Sequence, residues 1–217
     1  MPKMKQKSNV REIAETIVIA LAIALFVRSF VVQAFKIPSS SMEPTLLVGD
    51  QLLVNRLSYG IGIEMPLMNR LGRRVIHVST PKRGDVIVFI FPKNRRLDFI
   101  KRVIGLPGEK VEVREVKNAR LERKQEIYIN DRLIEDPWGH PNPSSPSRGT
   151  YGPIMVPPNS LFVMGDNRDN SEDSRYWGFV PLDDVLGKAV IRYWSWDRQA
   201  PSLLSKVRWQ RIGSLIR

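Results

Sequence analysis

The chain has 217 residues, no cysteine, two histidines and a formal charge of +12. That composition excludes disulfides, a thiol nucleophile and zinc–thiolate sites, and it argues against a His-rich metal centre. The basic residues run along the whole sequence with no nucleic-acid-binding motif, so an anionic membrane is the expected partner of the charge and nucleic acid is not.

Residues 1–12 include Lys3, Lys5, Lys7 and Arg11 and lead into an apolar run at 13–32. At about 1.5 Å rise per residue the run reaches about 30 Å, the thickness of a bilayer core. Glu15 and Thr16 fall at its start, and Arg28 near its end is long enough to snorkel to the interface. The basic start puts the N-terminus in the cytoplasm and everything after the run outside it. Two other readings exist. A cleaved signal peptide has small-residue sites at Ala22-Ile-Ala24 and Val32-Gln-Ala34, but Arg28 and Pro38 argue against processing there. A buried core helix conflicts with an apolar circumference that is nearly complete.

Beyond residue 35, short apolar runs bounded by Gly, Pro, Asn and Asp dominate, which predicts a mainly β protein. Strands are expected at 86–91, 99–104, 109–116, 160–164 and 189–194. A hairpin is expected at 127–134 with its turn at Asn130-Asp131. Residues 137–158 are rich in Pro, Ser, Gly and Asn and read as a long loop. The expected organisation is a cytoplasmic tail (1–12), a transmembrane helix (13–32) and an extracytoplasmic all-β catalytic domain (33–217). A small β-ribbon or cap is inserted in that domain at about 112–160. The basic segment 202–217 has apolar residues on no single helical face. It reads either as a contact with lipid headgroups or as a short helix packed on the domain.

One chemistry suits the residues available. Ser41 lies just past the apolar run, between Pro38 and Pro44, and a serine needs a base to become a nucleophile. His77 and His140 sit in loop-like segments without a suggestive partner. Lysine can serve when burial lowers its pKa. Lys101 lies in the strand expected at 99–104, where alternation puts Phe99, Lys101 and Val103 on one face and Ile100, Arg102 and Ile104 on the other. Periodicity leaves open which face is inside; arginine stays charged and cannot act as a base, so Lys101 is the candidate. Taken singly, Ser41 reads equally as a loop cap and Lys101 as a snorkelling strand lysine. Together with an anchor they point to proteolysis at a membrane surface. Ser41 lacks the Ser-x-x-Lys spacing of penicillin-binding enzymes, because Pro44 stands where the lysine would be. The Asp166–Ser171 stretch resembles a calcium loop superficially and lacks its ligands and glycine, so no metal is expected.

Four blocks in order carry a resemblance: PSSSMEPTL at 38–46, RGDVIVF at 83–89, KRVIGLPG at 101–108 and GDNRDNSEDSR at 165–175. The chain resembles the bacterial type I signal peptidases, also called leader peptidases, from the apolar run to about Trp194. The resemblance implies a serine endopeptidase of the bacterial plasma membrane that removes signal peptides from secretory preproteins, working as a monomer and without a cofactor. It implies Ser41 as nucleophile, Lys101 as general base, and Ser39 with the Ser41 N–H as oxyanion donors. Ser171 would hydrogen-bond and orient the lysine. Asp173 and Arg175 would form a supporting salt bridge, joined by Asp166. Substrate-pocket positions would be Phe35, Ile37, Pro38, Met42, Leu46, Val88, Phe99 and Ile100, apolar residues suited to small side chains at −1 and −3. Ser40 and Glu43 fall where the family pattern is permissive, and the inserted cap is short. The rival readings are a non-catalytic anchored β-domain that binds peptides, and a self-cleaving Ser/Lys repressor, which calls for a DNA-binding domain that is not seen ahead of the serine.

Overall fold

The computed structural model describes residues 9–27, 31–63, 74–117, 123–142, 145–146 and 148–217. In chain order the elements are α1 (Asn9–Phe26), β1 (Val32–Lys36), β2 (Asp50–Asn55), β3 (Gly60–Ile63), β4 (Arg74–His77), β5 (Val86–Ile90) and β6 (Asp98–Gly105). There follow β7 (Lys110–Lys117), β8 (Arg123–Ile129), β9 (Arg132–Ile134), β10 (Tyr151–Met155), β11 (Ser160–Met164) and α2 (Ser174–Trp177). The chain closes with β12 (Val180–Pro181), β13 (Val185–Ser195), α3 (Leu203–Lys206) and β14 (Ser214–Leu215).

An antiparallel sheet in the order β1-β2-β13-β5-β6-β11-β12, with β14 beside β13, forms the body. β5 sits in its middle, and its uninterrupted apolar run fits a strand buried on both faces. Val86, Val88 and Ile90 enter one core cluster with Ile37, Met42, Leu46, Leu52 and Leu186. Ile87 and Phe89 enter another with Val103, Leu161, Val163 and Val185 on the opposite face. A second sheet, β10-β7-β8-β9, occupies the stretch where a cap is expected. It packs Val111, Val113, Ile127 and Ile129 onto Ile104, Phe162 and Met164, so it shares a core with the main sheet. Its hairpin turns at Asn130 and Asp131, both at positive φ (50° and 65°), a conformation that Asn and Asp tolerate better than other side chains.

Three expectations need correcting. Residues 137–158 are not all loop, because β10 pairs there with β7. Among the described residues α1 already includes Asn9–Glu12, upstream of the expected start at 13, and Val32 opens β1 instead of closing a span. Residues 1–8 and 28–30, the cytoplasmic tail and the Arg28 end of the expected span, lie outside the described residues. Among the described residues no helix is long and apolar enough to cross a membrane. The first turns of α1 carry Arg11, Glu12 and Glu15, with Arg11 bonded to Glu15 at 3.0 Å. The large apolar side chains Ile13, Ile17, Val18, Ile19, Leu21, Ile23 and Leu25 of α1 are all exposed. That leaves the buried-core-helix reading without support.

The C-terminal segment packs on the domain. Ser202 and Ser205 form a capping box around α3. Arg211 reaches Asp50 at 2.7 Å, and Ile216 joins the core.

Candidate active site

β5 and β6 pair in a register that sets Lys101 opposite Ile87 and Phe99 opposite Phe89, while Ile100 meets Val88 across the other face. The alternation expected from sequence therefore holds. Lys101 is 4 % exposed and its Nζ lies 5.6 Å from the Phe99 ring centroid. The amine donates to Ser41 Oγ at 2.8 Å and to the Ile100 carbonyl at 3.1 Å. Burial drives its pKa down to about 8, against the opposing pull of the Asp173, Asp166 and Glu172 charges. An amine in that range offers a lone pair to the same hydroxyl once deprotonated. Ser41 is itself 9 % exposed, on the turn after β1. The rings of both histidines are engaged elsewhere: His77 Nε2 with Asp183 at 2.8 Å and His140 Nδ1 with the Trp138 carbonyl at 2.7 Å.

The segment after β11 is the frame of this centre. The Asn167 N–H donates to the Ser41 carbonyl at 3.1 Å. Asn167 Nδ2 donates to the Ser40 carbonyl at 3.1 Å, and Asn170 Nδ2 to Ser40 Oγ at 2.9 Å. Ser40 is thus a fastening point of the nucleophile's turn. Asp173 caps α2, accepts from the Gly165 N–H at 3.1 Å and pairs with Arg175 at 2.8 Å. Burial works to raise its carboxyl, but the Arg175 bond and charge and the Gly165 N–H outweigh burial and hold it below the usual carboxylate range.

Two expected contacts differ. Ser171 is buried beside this frame, but its Oγ has no hydrogen-bond partner of ordinary geometry, so it does not hold Lys101. It lies close enough to Asp173 to bias that carboxyl downward. Asp166 does not join Asp173 and Arg175. It forms a two-pronged pair with Arg102, Nε to Oδ1 at 2.7 Å and Nη2 to Oδ2 at 2.6 Å, both side chains wholly buried. Arg102 leaves β6 on the face opposite Lys101, so this pair backs the centre from behind.

Of the expected pocket positions, Ile37, Met42, Leu46 and Val88 are buried in one cluster, with Phe35 and Ile100 partly buried against it. Pro38 and Ser39 are exposed next to it, on the approach to Ser41. Phe99 belongs to the other face, stacked on Phe91 with centroids 4.2 Å apart. A cleft of about 570 Å³ opens beside Lys36, Ile37, Pro38 and Glu43. Sequence reasoning missed Asn167, Asn170, Gly165 and the Arg102–Asp166 pair. The sequence marks this turn as a motif that supports the lysine, but nothing in its spacing shows that its asparagines fasten the Ser40-Ser41 backbone. Among the described residues no cluster of His, Cys, Asp and Glu could hold a metal ion.

The sequence matches point to one family. Residues 10–194 match the family model described as signal peptidase, peptidase S26. A signal peptidase I of Leptolyngbya laminosa is 39% identical over 201 residues, covering 89% of this chain and 84% of the relative. A probable signal peptidase I-2 of Synechocystis sp. is 37% identical, covering 84% and 72%. The signal peptidase I of Pseudomonas aeruginosa is 32% identical, covering 98% and 82%. A solved signal peptidase I from Enterococcus faecalis V583 is 32% identical with a TM-score of 0.39, covering 51% of this chain and 97% of that one.

Proposed function

The chain belongs to the signal peptidase family S26, and from that premise we propose that it removes signal peptides from secretory preproteins with Ser41 as nucleophile and Lys101 as general base. The observation that carries this reading is the 2.8 Å approach of a buried lysine amine to a serine hydroxyl, with both rings of the chain's two histidines bonded elsewhere.

In this mechanism neutral Lys101 takes the Ser41 proton as Oγ attacks the carbonyl carbon of the −1 residue. The Ser41 N–H and the Ser39 hydroxyl stabilise the oxyanion; loss of one such donor typically costs about a hundredfold to a thousandfold in rate. The lysine then protonates the leaving amine, and next activates the water that hydrolyses the ester. Arg175 and Asp173 hold the frame, and Ser171 supports it from beside Asp173. The apolar residues Phe35, Ile37, Met42, Leu46, Val88 and Ile100, with Pro38 at their edge and Phe99 beside Lys101, restrict the −1 and −3 positions to small side chains.

The substrate is a signal sequence, and the enzyme works at a plasma membrane with its catalytic domain outside the cytoplasm. Support for that placement comes from the uncovered apolar side chains of α1 and the lysines that precede it. α1 would anchor the chain, with Arg11, Glu12 and Glu15 at the headgroups.

The deciding experiment is processing of a purified preprotein in lipid vesicles by the full chain and by Ser41→Ala. The substitution should abolish cleavage and leave the circular dichroism spectrum unchanged. Normal turnover by Ser41→Ala would remove the serine from the reaction, and absence of cleavage by the unaltered chain would favour a peptide-binding domain.

A further inference from the structure

Residues 136–140 run from the cap to the catalytic frame, where they contact Asp166, Arg168 and Arg102. The His140 N–H donates to the Asp166 carbonyl at 2.8 Å, and the Arg168 N–H donates to the His140 carbonyl at 3.0 Å. His140 and Asn167 thereby form a short parallel bridge. The residue on the far side of that bridge, Asn167, is the one whose N–H holds the Ser41 carbonyl. Asp136 pairs with the buried Arg168, through Nη2 at 2.8 Å. Arg168 in turn donates from Nε to the Gly165 carbonyl at 3.1 Å.

Trp138 is the apolar member of this strap. Its ring centroid lies 4.7 Å from the Arg102 guanidinium carbon. Its outer edge fills the space at Gly84, where an ideal Cβ would come within 2.7 Å of the indole. The Gly84 carbonyl accepts from Arg102 Nη1 at 2.6 Å. Asp166 and Gly84 take N–H groups along the guanidinium's edges, and the indole stacks against its face. It seals from water an ion pair that stands directly behind the candidate base.

We infer that Trp138 is a positioning residue of the peptidase reaction, closing the strap over Arg102 so that β6 and the 165–170 turn present Lys101 and Ser41 to each other in register. The inference deepens the Ser41/Lys101 reading and rests on it. The groups facing Lys101 are few. Across the strand lies apolar Ile87, and on its own strand Arg102 points away. From the turn come Asp166, Glu172 and Asp173, of which Arg102 pairs the first and Arg175 the last. Opening the strap hydrates the Arg102–Asp166 pair and loosens that compensation, and both changes favour the protonated amine.

The test is steady-state processing of a preprotein across pH by the full chain in vesicles, comparing Trp138→Ala and Trp138→Phe with the unaltered protein. Trp138→Ala should lower kcat by about tenfold to a hundredfold, as small misplacements of reacting groups do. KM should stay close to its original value, and the rising limb of the pH profile should move to higher pH. Trp138→Phe keeps a ring over Arg102 and should recover both. Should Trp138→Ala fail to fold, Trp138→Leu replaces it with the same expectations. An unaltered kcat and limb overturn the inference. So does a variant whose only change is a lower melting temperature, and so does a loss that phenylalanine fails to relieve. Ser41→Ala and Lys101→Met in the same assay separate the two ideas. If either still cuts, the dyad reading falls and takes this inference with it. If both are dead while Trp138→Ala is normal, only the inference falls.

Discussion

Gly165 lies so close to the Ser41 carbonyl that no side chain fits between them. An ideal Cβ at Gly165 would stand 2.4 Å from that oxygen and 2.3 Å from Ser171 Oγ. The backbone of the nucleophile's turn therefore rests on the residue whose N–H is held by Asp173. Gly165→Ala should push the Ser41 turn aside. Since about 1 Å of misplacement can cost a hundredfold in rate, the expected result is a kcat lower by about that factor in a chain that still folds. Preprotein cleavage beside a thermal melt reads both quantities, and an alanine variant with normal kcat would mean the turn yields freely.

Activity should rise with pH and level off above about 8, because only the neutral form of Lys101 accepts the serine proton and burial sets its pKa at about 8. The profile of kcat/KM, which reports the free enzyme, is the measurement to make. A rising limb below pH 6 would point to a different base, and one near the ordinary lysine range would mean the amine is solvated.

The same burial predicts an effect on stability. Folded, Lys101 titrates near 8; unfolded, near 10.5. Between those values the unfolded state binds more protons, so stability rises with pH across the window. Below pH 8 the full penalty of a buried ammonium applies, roughly 3 kcal/mol at 1.36 kcal/mol per pKa unit. Lys101→Met should therefore be inactive yet more stable at pH 6–7, with the gain fading above pH 10. Urea midpoints at three pH values would test this, and a variant less stable at pH 6 would contradict it.

Arg102 and Asp166 are both wholly buried. Arg102→Met alone leaves a carboxylate without its partner, a loss of about 3–5 kcal/mol. Replacing both, as Arg102→Met with Asp166→Leu, should be distinctly less damaging to stability. The paired chemical denaturation curves should show that non-additivity. Equal losses in the single and double variants would mean the packing, not the charge, is what matters.

Much of the architecture was legible because period-2 patterning and turn chemistry are local. The five apolar residues of β5, the alternation in β6 and the Asn130-Asp131 hairpin each announce themselves within a few neighbours. The face of β6 that carries Lys101 was readable for the same reason, and so was the candidate serine, once four motifs in order suggested a family. The limits of α1 were less so, because Arg11, Glu12 and Glu15 are compatible with a helix even where they are poor company for lipid.

What the sequence by itself determined is the set of chemical groups: serines on a bracketed turn, one lysine in an apolar strand, and histidines poorly placed for a base. Only the tertiary structure decided their partners, because those depend on contacts between segments far apart in the chain. Asp166 went to Arg102 and not to the Asp173–Arg175 pair, and the Ser171 hydroxyl lay beside Asp173 instead of on Lys101. A strap that read as loop came to meet the catalytic frame. Strand alternation tells which way a side chain points, but burial and ion pairing are settled by whatever the rest of the fold brings to meet it.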